Sequence, residues 1–187
     1  DGDQIMALLA ARWAEEGRLR GGTLVATVMS NLGLEKFLHA KGLRLERANV
    51  GDRYVMAMLQ QEGWEVGGET SGHLLCLDKS TTGDGIVAAL EVLAVVRQTG
   101  KSLADLKAGM QIFPQTMINV RMSKRFDLKA SAPVQKALGD VEKELATNGR
   151  VVLRASGTEP VVRVMIEGRD PTLVARLGQQ LADTVKR

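Results

Sequence analysis

Residues 23–48 read TLVATVMSNLGLEKFLHAKGLRLERA, and this stretch decides the fold. Residues 23–29 are dense in β-branched and apolar side chains and too short a run for a helix, so they read as a buried strand. Residues 33–41 read as a helix that stops at Gly42, and residues 43–48 as a second strand. A strand, a helix and another strand in so short a span form the repeating unit of an α/β layer.

The pattern continues on both sides. Upstream, Asp3 has the small acidic character of an N-cap, and Ile5, Leu8, Leu9, Ala11 and Trp13 supply an apolar stripe, predicting a helix over 4–16 that ends at Gly17. Downstream, residues 52–62 read as a helix stopped by Gly63, and residues 64–68 and 73–77 as two short strands around a Gly-rich turn. Residues 84–98 carry the strongest helical pattern, with Ile86, Ala89, Leu90, Leu93 and Val96 on one stripe, and Ser102 caps a short helix through Lys107. The rhythm predicts an α/β domain with a mixed, largely parallel sheet. Near Gly109 it changes: a strand over 111–122, a helix over 134–147, strands over 150–154 and 161–167 and a terminal amphipathic helix over 173–186 make a smaller α+β domain. The boundary is placed at Ala108, giving domains 1–108 and 109–187. The opening of the chain, where Asp1 leads at once into the first helix, reads as a piece of a longer polypeptide.

At 187 residues, with 44% hydrophobic and 25% charged residues, the composition is that of a folded globular protein. Its net charge of +3 is modest. Basic and acidic residues alternate without the clustered runs of a nucleic-acid binder, so the basic excess points to a local anion site. No apolar run approaches the roughly 20 residues of a membrane helix and no signal peptide is legible, which predicts a cytoplasmic protein with no membrane partner. The single cysteine, Cys76, cannot form an internal disulfide and reads as a buried strand residue in a reducing compartment.

Polar chemistry concentrates in two loops. In Arg154-Ala155-Ser156-Gly157-Thr158-Glu159-Pro160, Arg154 offers a planar fork of donors, Ser156 and Thr158 add hydroxyls, and Gly157 leaves backbone N–H groups open to an anion. Arg163, on the following strand, brings a second cation. These are the parts of a phosphate clamp, or equally of a tight hairpin whose hydroxyls satisfy their own backbone. In Gly67-Gly68-Glu69-Thr70-Ser71-Gly72-His73, Glu69 and Ser71 alternate along an extended loop in a way that suits vicinal sugar hydroxyls, and His73 could donate to a phosphate or shuttle a proton. A polar hairpin with a surface glutamate accounts for the same residues. Asp52-Arg53 stands at a helix start where an acid is expected for capping alone, and Asp84 suits the N-cap of the long helix. Asp1-Gly2-Asp3 has oxygens for a hard cation, yet capping explains Asp3 without one. His39 reads as structural, and with no second His or Cys at ligand spacing no metal site is expected in this chain.

Taken in order, residues 68–73 and 154–160 resemble the sugar-binding and phosphate-binding loops of the alpha-D-phosphohexomutase superfamily. The segments 78–85 and 50–55 and Phe113-Pro114-Gln115 are similar to its phosphoglucosamine mutase branch in particular. Members have four domains around a cleft, and the resemblance covers the third and fourth. It implies an α/β domain followed by an α+β domain with a four-stranded sheet packed by two helices. It implies sugar contacts from Glu69, Ser71 and His73, phosphate contacts from Arg154, Ser156, Gly157, Thr158 and Arg163, and cleft positions for Asp52 and Arg53. The family reaction moves a phosphoryl group between the 6- and 1-positions of a sugar. In this branch it interconverts glucosamine 6-phosphate and glucosamine 1-phosphate toward UDP-N-acetylglucosamine. The phosphoserine and the magnesium loop belong to the first two domains, so the chain alone is expected to be inactive and to hold no metal. A homodimer of the intact enzyme is compatible with the resemblance. A phosphomannomutase or phosphoglucomutase and a non-catalytic phosphosugar-binding module are the competing readings.

Overall fold

The computed structural model describes residues 1–122, 127–156 and 159–186. The chain divides into two compact units, Asp1–Ile112 and Phe113–Arg187. The first unit keeps 109–112 because Met110 is buried in its core and Gly109 lies against the Phe37 ring.

In the first unit the order is α1 (Gly2–Glu15), β1 (Thr23–Thr27), α2 (Leu32–Ala40), β2 (Arg44–Ala48), α3 (Asp52–Glu62), β3 (Val66–Gly68), β4 (Leu74–Cys76), α4 (Gly85–Thr99) and α5 (Leu103–Lys107). The strands form one sheet in the order β2-β1-β3-β4, parallel across the first three and antiparallel at β4. All five residues of β1 are buried, as its unbroken apolar run requires. Alternate side chains go to opposite faces. Leu24, Ala26, Leu74 and Cys76 join Met6, Leu9, Trp13, Leu34 and Leu38 in one core. Val25 and Leu75 join Val55 and Leu59 of α3 in the other.

The first turn of α1 and the buried face of α4 differ from the sequence expectation. Asp3 is not the cap of α1: Asp1 accepts from the Gln4 N–H at 3.0 Å, and Asp3 lies inside the first turn, fully buried. The apolar stripe assigned to α4 faces outward, with Ile86 74%, Leu90 60% and Leu93 58% exposed. The inward face carries Ala88 and Val95, with Glu91 between them accepting from Trp13 Nε1 at 3.2 Å and from Arg18 at 3.3 Å. A helix that is apolar almost all round gives periodicity no means to choose its buried side, and the Glu91 anchor chooses it.

The second unit runs β5 (Gln115–Arg121), α6 (Ala132–Leu145), β6 (Gly149–Ala155), β7 (Val161–Gly168) and α7 (Pro171–Lys186). Its sheet is antiparallel with β7 central, in the order β5-β7-β6. The expected four strands are three among the described residues; β7 is flanked on both sides, so a further strand could join only at an outer edge. Val162, Val164 and Ile166 face the core made with Val134, Val141, Leu177 and Leu181 of the two helices. Glu167, fully buried on β7, accepts from Arg150 Nε at 2.7 Å, and the two residues are direct partners in the β6–β7 register.

Removing one member of a buried ion pair leaves the other charged and desolvated. Arg150→Met is therefore expected to destabilise the second unit by about 3 kcal/mol, read by urea unfolding. Far-UV circular dichroism is the suitable probe, since both tryptophans, Trp13 and Trp64, lie in the first unit.

Candidate functional site

Three parallel strands end on one edge of a sheet, and ligands in open α/β sheets bind at that carboxyl edge. Here the edge carries the turns after β1, β2 and β3, which hold Asn31, Gly51-Asp52 and Glu69–His73. The last of these is a tight connection between β3 and β4. The Glu69 N–H donates to the His73 carbonyl at 3.0 Å and the Gly72 N–H to the Glu69 carbonyl at 2.9 Å, with Gly72 at φ +97°, a conformation suited to glycine. The hairpin reading of this loop is thus correct for its backbone. Its side chains remain available: Ser71 and His73 are exposed and Glu69 is half-buried.

Long-range contacts fix the loop. Glu69 Oε1 accepts from the Gly51 N–H at 3.1 Å, tying the turn after β3 to the turn after β2. His73 Nε2 stands 3.6 Å from Asp52 Oδ2, an ion pair whenever the imidazole carries its second proton. Gly83 closes on the same ring: a Cβ there would lie 2.1 Å from His73 Nε2. Asp52, Glu69, His73 and Gly83 are therefore brought together. Arg53 turns aside onto Tyr54, its guanidinium 4.6 Å from the ring centroid and donating to the phenol oxygen at 2.7 Å.

In the second unit, Arg154 on β6 and Arg163 on β7 are direct partners in an antiparallel register, both half-buried. Such partners have Cβ atoms about 5 Å apart, and like charges so placed repel. Burial first, and the charge of Arg163 second, hold the Arg154 guanidinium below its usual pKa. Its Nε is buried with no hydrogen-bond partner among the described residues. Arg163 approaches Glu159 only to 3.8 Å. An anion bridging the two guanidiniums converts repulsion into charge-assisted hydrogen bonds. Ser156 partly serves the turn, donating its N–H to the Val161 carbonyl at 2.7 Å and accepting from the Glu159 N–H on Oγ at 3.3 Å. Gly157 and Thr158 lie outside the described residues.

Other sequence candidates find structural roles. Asp84 caps α4, accepting from the Ile86 and Val87 N–H groups. Cys76 is buried, and its surroundings push the thiol up to about 12, chiefly by desolvation and then by the nearby Glu91 and Asp78 charges. His39 is exposed in the last turn of α2. Among the described residues no three His, Cys, Asp or Glu side chains gather to hold a metal ion, and no helix is long and apolar enough to cross a membrane. Sequence reasoning missed Gly51, Gly83 and Asp3. The signal for Asp3 was its redundancy: with Asp1 able to cap α1, a second carboxylate needed another partner.

Models of two domains match the chain. "Phosphoglucomutase/phosphomannomutase, alpha/beta/alpha domain III" covers residues 1–113, and "Phosphoglucomutase/phosphomannomutase, C-terminal domain" covers residues 117–184. Among curated proteins, the chain is 52% identical over 187 residues to a phosphoglucosamine mutase of Phenylobacterium zucineum, covering all of this chain and 41% of that protein. It is likewise 52% identical over 186 residues to a phosphoglucosamine mutase of Thiobacillus denitrificans, covering 100% of this chain and 40% of that one. The chain thus spans about two-fifths of the length of these relatives. Among solved structures, the N-acetylphosphoglucosamine mutase of Aspergillus fumigatus, in complex with GlcNAc-6P and magnesium, matches with a TM-score of 0.82 at 20% identity. That match covers 100% of this chain and 47% of that one.

Gly83→Ala is expected to displace the His73 ring while costing under about 1 kcal/mol, because the clash falls on a movable side chain. The displacement is read from the His73 imidazole NMR signals, whose response to Asp52→Asn should disappear in the variant. Cys76 is expected to alkylate with iodoacetamide at pH 8 about a thousandfold more slowly in the folded than the unfolded chain. Since its folded value of about 12 lies above the ordinary 9.0, its contribution to stability holds below pH 9 and declines as pH rises toward 12.

Proposed function

The chain belongs to the phosphoglucomutase/phosphomannomutase family, and from that premise we propose that it is the sugar- and phosphate-binding part of a phosphoglucosamine mutase. In this reading the whole protein interconverts glucosamine 6-phosphate and glucosamine 1-phosphate in the cytoplasm. The name carried by relatives at 52% identity supports the substrate. The observation that carries the reading is the facing pair Arg154 and Arg163, two half-buried guanidiniums in direct register, with Arg154 Nε buried and without a hydrogen-bond partner among the described residues.

Arg154 and Arg163, with Ser156, Gly157 and Thr158 of the same loop, hold the phosphate that is not reacting. Glu69 and Ser71 accept from and donate to sugar hydroxyls, with His73 and Asp52 beside them and Arg53 at the margin. A grip on one phosphate fixes the distance and angle at which the other end of the sugar meets the reacting group, which is how binding energy becomes rate in phosphoryl transfer. Because a bisphosphorylated sugar must present either end, the clamp has to accept a phosphate without reading the carbon that bears it. Arginines meet that need, since they recognise the dianion and not the ring. The described residues do not fit a magnesium ion, so no step is assigned to one here, and the phosphoserine is likewise assigned to other parts of the protein. This chain alone is accordingly expected to show no turnover.

The test is a backbone amide NMR titration of the 187-residue chain with inorganic phosphate and with glucosamine 6-phosphate. Both should give saturable shifts at Ser156 and Val161, and Arg154→Ala should weaken each about tenfold or more, the loss of one charge-assisted contact. Glucosamine 6-phosphate alone should also move Glu69 and Ser71. Absence of any saturable shift near Arg154 at millimolar ligand, with the fold intact, would overturn the clamp.

A further inference from the structure

Asp3 is an acid with no exposed surface, and its carboxylate does no capping. It is occupied instead by two segments distant in sequence. Oδ2 accepts from the Asn31 N–H at 2.8 Å, and both oxygens stand 3.2 Å from Thr70 Oγ1, in the middle of the loop that carries Glu69 and Ser71. The side chain of Asn31 in turn caps α2 by accepting from the Gly33 N–H at 2.9 Å. Backbone contact reinforces the link: the Gly2 N–H donates to the Thr70 carbonyl at 3.0 Å. A Cβ on Gly2 would lie 2.2 Å from the Glu69 carbonyl oxygen, so the first turn of α1 is pressed against the loop as closely as a glycine allows.

We propose that Asp3 is a positioning residue for the sugar loop, acting through Thr70 to hold Glu69 and Ser71 where a phosphosugar meets them. The inference rests on the sugar-binding role of that loop. Backbone hydrogen bonds alone close the hairpin but leave it free to hinge about β3 and β4, which are three residues each. The buried carboxylate removes that freedom from one side, and the Gly51 N–H on Glu69 removes it from the other. A charged acceptor suits the task because its hydrogen bonds are stronger than those of a neutral group and because a buried position strengthens them further. Asp3 also sits in the first turn of α1, where the helix dipole stabilises its negative charge. A purely structural carboxylate would need only that dipole and Asn31; the Thr70 contact is what couples it to function.

Thr70→Val deletes the hydroxyl while leaving Asp3, its helix and Asn31 in place, and so avoids the folding risk of Asp3→Asn. Amide hydrogen exchange in the 187-residue chain is the primary readout. Thr70→Val is expected to speed exchange at Glu69 and Gly72 about tenfold while Leu24 and Ala26 in β1 keep their rates, and Thr70→Ser should restore the wild-type pattern. In the titration with glucosamine 6-phosphate, Thr70→Val should raise Kd several-fold without altering the response of Ser156 to inorganic phosphate. Asp3→Asn, where it folds, should reproduce the loop effect and add little on top of Thr70→Val, as members of one contact do. Wild-type exchange at Glu69 and Gly72 in Thr70→Val, or uniform acceleration throughout β1 as well, would overturn the proposal. If wild-type chain gives no Glu69 or Ser71 shift with glucosamine 6-phosphate, the sugar-binding role fails, while the exchange rates still decide whether Asp3 holds the loop.

Discussion

All five residues of β1 are buried, so both edges and both faces of this strand must be covered. Its N–H and C=O groups are paired on one side by β2 and on the other by β3, both parallel to it. Parallel neighbours require helical crossovers, and these cover both faces: α2 on the face of Leu24 and Ala26, where α1 packs as well, and α3 on the face of Val25. A burial demand on a few residues thereby sets the sheet order and brings the ends of β1, β2 and β3 to a single edge. The candidate sugar loop lies at that edge for this reason, and its partners Asn31, Asp3, Gly51 and Asp52 come from neighbouring turns of the same edge or from the helix start packed beneath it.

What the sequence made legible follows from the range over which each determinant acts. Strand and helix periodicity is local, and the elements from α1 to α7 were readable from runs of about fifteen residues or fewer. The polar loops were readable too, because Glu69, Ser71 and His73, or Arg154, Ser156 and Arg163, lie within ten residues of one another. The orientation of α4 was not, since Ile86, Leu90 and Leu93 match Ala88, Val92 and Val95 in character and only the Glu91 contacts to Trp13 and Arg18 distinguish the two faces. The role of Asp3 was equally hidden. Its partner Thr70 is 67 residues away, and an acid near a helix start has a cheaper local explanation in capping.

The two candidate loops, one in each unit, use different physics. The loop of the first unit is positioned by neutral backbone donors and by one buried carboxylate, so its geometry is set before any ligand arrives. The strand pair of the second unit instead carries an electrostatic cost in the free protein. Arg154 and Arg163 face each other in register, and burial together with the charge of Arg163 holds the Arg154 guanidinium below its usual pKa. Uncharged sugar hydroxyls can be recognised by rigid hydrogen-bonding groups at little cost, whereas a dianion carries a large hydration shell that must be replaced on binding. In the proposed clamp, confronting it with two half-buried cations would offset that loss, because the protein would give up little hydration of its own on binding.

This division has a further consequence for how the sheet of the second unit is built. The register that places Arg154 opposite Arg163 also places Arg150 opposite Glu167, and alternation would break if the strands slipped by one residue. Slippage would turn Val162, Val164 and Ile166 out of the core, so the apolar face of β7 holds the register against the repulsion of the arginines. At the other end of the same strand pair the buried Arg150–Glu167 contact opposes slippage too, because a shift would strand a carboxylate that has no exposed surface. The hydrophobic core and one buried ion pair therefore sustain the like-charge pair that the candidate clamp requires.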